Sequence, residues 1–116
     1  MMSKFTLPLP PSINSMYSTR PDGRRFKVKE AKDWEEEAGY LLLNCQKYGA
    51  KKVVLSVDYF FKDNRSDLGN RTKILQDLLQ KQGIIDNDSQ VYERHEYKTI
   101  ENNNPRVEIQ LIEFNG

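Results

Sequence analysis

Val53-Val54-Leu55-Ser56-Val57-Asp58-Tyr59-Phe60-Phe61 reads as a strand, and Leu68 to Gln82, a short charged loop later, reads as a helix. β-Branched and aromatic side chains fill the first run, which suits a pleated and at least half-buried surface. Apolar residues on both of its faces near the start predict a central place in a sheet. In the second run Leu68, Leu75, Leu78 and Leu79 form an apolar stripe with Ile74 beside it, and Gly83 ends it. Ile84 and Ile85 then anchor a tight polar loop, Asp86-Asn87-Asp88-Ser89. Two more strands follow, Val91 to Ile100 and Arg106 to Phe114, separated by Asn102-Asn103-Asn104-Pro105. That turn predicts a hairpin, and so antiparallel pairing of the last two strands.

Upstream, Lys4 to Leu9 alternates as a strand and should stop at Pro10-Pro11, since proline cannot donate to a ladder. Ser12 to Arg20 reads as a polar loop anchored at Ile13, Met16 and Tyr17. Pro21-Asp22-Gly23 is a turn that closes a hairpin on the arm Arg24 to Val28. A first helix spans Glu30 to Tyr48, with Ala31, Trp34, Ala38, Leu41, Leu42 and Cys45 on one stripe and Gly49 as its stop. The order β-β-α-β-α-β-β predicts one small α+β (mixed α/β) domain over residues 1–116. Its mixed sheet should have four to five strands, with two helices on one face.

A chain of 116 residues has room for one core. With 37% hydrophobic and 30% charged residues it should fold rather than stay disordered. No apolar run approaches the ~20 residues that span a bilayer. The prolines near the start argue against a signal peptide. A single cysteine excludes an internal disulfide and favours a reducing, cytoplasmic setting. One Cys and one His are too few for a zinc site. The net charge of +1 hides an asymmetry. Residues 1–32 carry seven basic and two acidic groups, and the remainder eleven basic and fifteen acidic. A basic third can form a phosphate-binding face, or an ordinary solvated one.

The chemistry-bearing residues flank the second helix. Asp63-Asn64-Arg65-Ser66-Asp67 precedes it and Asp86-Asn87-Asp88 follows it. If the two loops converge, their carboxylates would repel unless a divalent cation sat between them, and Mg²⁺ suits one or two carboxylates completed by water and phosphate oxygens. On the helix Asn70, Lys73 and Asp77 share a polar face opposite the leucines. Lys73 could bind a phosphate there. The plainer reading makes Asp67 a helix cap and Lys73 a solvated lysine. Arg25, Lys27 and Lys29 share one face of the hairpin arm and, with Arg24, form either a phosphate-tracking strip or a solvated edge. His95, the sole histidine, reads as structural, and Cys45 as core.

Three blocks then carry a family resemblance. Leu9-Pro10-Pro11-Ser12-Ile13-Asn14-Ser15-Met16-Tyr17, Arg65-Ser66-Asp67-Leu68-Gly69-Asn70-Arg71-Thr72-Lys73 and Gly83-Ile84-Ile85-Asp86-Asn87-Asp88-Ser89-Gln90-Val91 occur in this order with matched spacing. Together they resemble the RusA family of Holliday junction resolvases, crossover junction endodeoxyribonucleases often carried by phages and prophages. The resemblance spans almost the whole chain. It implies a Mg²⁺-dependent endonuclease that acts as a homodimer on branched, four-way DNA, with no membrane and no organic cofactor. It implies catalytic Asp67, Lys73 and Asp88. Asp67 and Asp88 would be metal ligands, with Asp86 a further candidate. Asn14, Arg65, Asn70 and Arg71, which stand in the blocks, join Arg24, Arg25 and Lys27 as expected DNA contacts.

One position departs from the pattern. Gly69 stands where the family usually has a second aspartate of the metal site, and Ser66 where a basic residue is common. Asp86 or Asp63 could compensate for the missing carboxylate. The alternative is a catalytically weakened homologue that binds junctions and cuts them poorly. A small structural domain without a DNA role is the remaining possibility.

Overall fold

The computed structural model describes residues 1–11, 17–65, 68–69 and 71–116, with the side chains of Tyr17 and Phe26 left aside. Strand β1 is Met2–Leu7, β2 Tyr17–Thr19 and β3 Arg25–Lys27. Helix α1 is Lys29–Leu41, β4 is Val53–Phe61 and α2 is Arg71–Lys81. A 3₁₀ turn at Asp88–Gln90 leads into β5, Val91–Ile100, and β6 is Arg106–Glu113. The main sheet has four strands in the order β1-β6-β4-β5, and β2 and β3 form a separate two-stranded ribbon. The α+β class, the two helices and the element order match the reading of the sequence.

β4 is central, as its composition requires. Along it burial alternates: Val53, Leu55, Val57, Tyr59 and Phe61 are buried, and the residues between them are half-buried. The buried face meets Val107, Ile109 and Leu111 of β6 and the apolar stripes of both helices in one core. Trp34, Ala38 and Leu42 come from α1, and Leu75, Leu78 and Leu79 from α2. So the apolar start of β4 marks a central strand, while only one sheet face is fully covered.

The expected hairpin between the last two strands is overturned. β5 runs parallel to β4, β6 runs antiparallel to it, and β4 lies between them. The linker 101–105 crosses two strand spacings, about 10 Å, which five residues span easily. The physical reason is polarity. β5 carries Glu93, Arg94, His95, Glu96 and Lys98, and no residue of it is buried, so it belongs at an edge. The apolar β4 takes the middle. Arg106 secures the crossover through Glu101 (2.6 Å), the Asn104 carbonyl (2.9 Å) and Glu108 (2.8 Å).

The first helix stops at Leu41 rather than Tyr48. The Tyr48 N–H donates to the Ile84 carbonyl (2.8 Å), and its hydroxyl donates to the Leu111 carbonyl (3.0 Å). Docking Tyr48 against β6 takes it out of the helical path. Lys29 opens α1 instead of extending the hairpin arm, so the basic strip on β3 is Arg25 and Lys27 alone. The segment read as a loop through Arg20 contains β2, which pairs with β3 in the register Tyr17↔Lys27. No helix among the described residues is long and apolar enough to cross a membrane.

Candidate active site at the two ends of α2

The first turn of α2 is fixed to the sheet by a buried polar pair. The Tyr59 hydroxyl lies 2.5 Å from Thr72 Oγ1, inside a core that would otherwise leave both unsatisfied. Burial pushes the Tyr59 phenol up to about 12, so it stays a neutral hydrogen-bonding group. Next to it Arg71 bonds the Pro10 carbonyl and lies 5.2 Å from the centre of the Phe61 ring. The Trp34 indole N–H holds the Pro8 carbonyl at 2.8 Å. The proline-rich first block is thereby brought to the start of α2, where the second block lies. Arg71, expected to contact DNA, is partly committed to this architecture.

Lys73 is exposed on the next turn and makes no ion pair among the described residues. A cation missed in the sequence reading joins this end: Lys98, on β5, sits 5.8 Å from the Phe61 ring and reaches the Asn64 carbonyl at 3.5 Å. Its signal lay in parallel pairing, which places Lys98 opposite Tyr59, and the expected hairpin hid it. Arg65 is exposed and clasps Asp63, with Nη2–Oδ2 at 2.7 Å. Those hydrogen bonds hold the Asp63 carboxyl below its usual range. Asp63 is therefore occupied by its neighbour and is a poor substitute for a missing metal ligand.

The other end of α2 is acidic and built from backbone hydrogen bonds. Asn87 caps the 3₁₀ turn, its side chain accepting from Ser89 N–H at 2.9 Å. Gln90, buried, does most of the tethering. Its Oε1 accepts from the N–H groups of Asp86 and Asn87, both at 2.9 Å, and its Nε2 donates to the Gly49 (2.8 Å) and Lys51 (2.6 Å) carbonyls. Asp88 N–H donates to Gln80 Oε1 at 3.1 Å, pinning the turn to the last turn of α2. The exposed Asp86 and Asp88 carboxylates make no ion pair among the described residues. The role of Gln90 is legible in the sequence as a capping box, Asn87-x-x-Gln90.

Lys73, Asp77 and Gln80 line one face of α2, so Lys73 and the Asp88 turn are joined by a polar stripe. Seven residues separate Lys73 from Gln80, about 10 Å along the axis. The cationic and acidic halves therefore lie apart in one chain. Asp67, Asn14 and Asn70 lie outside the described residues, and among those described no three Asp, Glu, His or Cys side chains gather as a metal cluster. Asp86 and Asp88 offer only oxygen donors on an exposed turn. Such a pair suits Mg²⁺, which takes few carboxylates and keeps waters. Gly69 has φ +49°, a left-handed conformation that favours glycine over a side chain.

The hairpin cations divide. Arg24 is exposed and only loosely paired with Asp22 (3.9 Å), and Arg25 is exposed beside it. Lys27 is half-buried and bonds Glu35 on α1, which also meets Lys81 of α2 at 3.5 Å. A groove between ribbon and helices is thus lined by Lys27, Lys32 and Lys81 together with Glu35 and Glu36. His95 stands on the exposed edge, 3.6 Å from Glu93. Cys45 is half-buried against the core, and burial raises its thiol.

Comparison with known proteins agrees with the blocks. Residues 8–112 match the family described as Endodeoxyribonuclease RusA. The chain is also similar to the crossover junction endodeoxyribonuclease RusA of Aquifex aeolicus (strain VF5), 32% identical over 111 residues, covering 93% of this chain and 86% of that protein.

Proposed function

The chain belongs to the RusA family of crossover junction endodeoxyribonucleases, and from that membership we propose how its residues resolve Holliday junctions in recombination and repair. The reaction is hydrolysis of a DNA phosphodiester: a water oxygen bonds to phosphorus as one P–O ester bond breaks, and the leaving oxygen takes a proton. Residues 1–116 act as one endonuclease domain. Asp67 and Asp88 would hold the divalent ion, with Asp86 a further candidate ligand, and Lys73 would stabilise the charge that builds on the phosphate. Bound Mg²⁺ supplies water activation and charge neutralisation at the leaving oxygen.

The supporting observation is the layout of α2. All three sequence blocks meet its ends, the first through Pro10 and Arg71, the third through Gln80 and Asp88. Arg24, Arg25 and Lys27 on the ribbon take DNA phosphates without reading bases. Arg65, Asn70, Arg71 and Asn14 contact the strand near the cut. Two-fold symmetric nicking of a four-way junction calls for a homodimer with two identical sites.

Labelled four-way junction incubated with the protein and Mg²⁺ tests the reading. Paired symmetric nicks are expected, and Asp67→Asn should abolish them while a gel shift persists. A second reading, junction binding with weak cleavage, draws on the left-handed backbone of Gly69, where the carboxylate usual in the family is missing. A gel shift without nicks by the unaltered chain would favour it.

A further inference from the structure

The start of α2 sits on a column of aromatic rings. Tyr59 and Phe61 share the covered face of β4, and their rings stack with centres 5.9 Å apart. Thr72 of α2 meets the Tyr59 hydroxyl. Phe61, at the end of the strand, is 2% exposed. Two cations from different elements close over it. The Arg71 guanidinium comes from α2, 5.2 Å from the ring centre, and the Lys98 ammonium from β5, 5.8 Å from it. Lys98 is an exposed residue, so its stem covers the ring while its charged head stays at the surface.

An aromatic ring holds a cation differently from a carboxylate. Its quadrupole attracts the ammonium without cancelling the charge. The head is thereby oriented and still able to meet an anion. The contact of Lys98 with the loop before α2 has the same character, since Nζ lies 3.5 Å from the Asn64 carbonyl, a dipole rather than a charge. Arg71 likewise bonds a carbonyl, that of Pro10. The peptide dipoles of α2 add positive potential at the same end. A phosphate, with several oxygens, can meet more than one of these donors at once.

Lys98 and Lys73 serve different points. Thr72 and Gln76 mark the side of α2 that faces the sheet, through Tyr59 and through Arg94 (3.0 Å). Lys73 is turned from Thr72 by about 100°, onto the outer face. Lys98 stands on β5 opposite Tyr59, on the sheet side. The two lysines flank the first turn of α2, which suits neighbouring phosphates of one strand rather than a single phosphate.

We propose that Lys98 binds a DNA phosphate beside the scissile one, fixing the strand on α2 while Lys73 meets the phosphate that is cut. This role rests on the DNA-cleaving reading above, and its tests separate the two. Lys98→Met keeps an apolar stem on Phe61 and removes the charge. Junction binding by gel shift should weaken, and the slope of log affinity against log salt should fall by about 1. Lys98→Arg should restore the slope. Lys98→Gln, which shortens the apolar stem as well, should give the same slope as Lys98→Met. The loss should be equal on junctions of different sequence, since no base edge is read.

Cleavage should divide in the same way. In single turnovers at saturating protein, Lys98→Met should cut at the parent rate, whereas Lys73→Met should not. An unchanged salt slope in either neutral variant overturns the proposal. So does a fall in the saturated rate with affinity intact, which would place Lys98 at the reacting phosphate itself. A parent chain that binds junctions yet never cuts overturns the catalytic reading, and the salt slope still decides Lys98. A parent chain that binds no junction overturns both.

Discussion

The two ends of α2 are made differently. At the start, side chains hold side chains: Thr72 meets Tyr59, and Arg71 and Lys98 share the Phe61 ring. At the finish, one buried glutamine ties a loop by its backbone, leaving two carboxylates outward. The first arrangement gathers positive charge where the dipole of the helix is also positive, which suits phosphate. The second frees carboxylates from protein partners, which suits a hard cation. Position, more than residue count, separates the two tasks.

The largest effect that would test this division comes from Asp88→Asn. It should lower Mg²⁺-dependent cleavage by about 10²–10³-fold, as loss of a preorganised charge at a reacting centre does, with junction affinity unchanged in a gel shift. Cleavage within tenfold of wild type would take the acidic end out of the chemistry.

Gln90→Ala comes next. It removes four hydrogen bonds, but Asp86 N–H and the Gly49 carbonyl keep each other at 3.2 Å. Two backbone groups, Asn87 N–H and the Lys51 carbonyl, therefore lose their partner. At about 1 kcal/mol each a loss of about 2 kcal/mol by urea denaturation is expected, together with slower cleavage. Preserved stability would mean that water replaces the glutamine and that the turn needs no tether.

At the other end, Tyr59→Phe leaves Thr72 without its buried partner and should cost about 1–2 kcal/mol. Its pH signature is separate. The phenol titrates at about 12 in the folded chain and near 10 when unfolded. Between those values the folded state keeps a proton that the unfolded state has lost, so stability falls as pH rises from 10 to 12. Below 10 it contributes no slope. Denaturation curves of Tyr59→Phe should fall less steeply over that interval, and identical slopes would remove Tyr59 as the cause.

The smallest effect is expected between the ends, at Gly69. Gly69→Asp forces a side chain into the left-handed region, costing about 1 kcal/mol by thermal denaturation. Mg²⁺-dependent cleavage should rise because a carboxylate is added. No gain would show that the site is complete without it.

Much of this was legible in the chain. The helix stripes, the apolar β4, the Pro21-Asp22-Gly23 turn and the three blocks are local patterns, and local patterns survive folding. Gln90 was equally legible as half of a capping box. The extent of α1 was not, because Tyr48 leaves the helix for a carbonyl on β6, 63 residues away. Nor was the pairing of β5 and β6, since a turn motif announces a reversal without saying which strand lies between.

The order of residues alone determined the element types, the family blocks and the separation of charge between the first third and the rest. Only the folded chain decided that β5 is an edge strand of the main sheet, that Lys98 joins Arg71 beside Phe61, and that Lys73 and Asp88 stand a helix apart. Those outcomes come from competition among distant segments for the few places in one small core. The most apolar strand won the centre, and the polar strand was left at the edge.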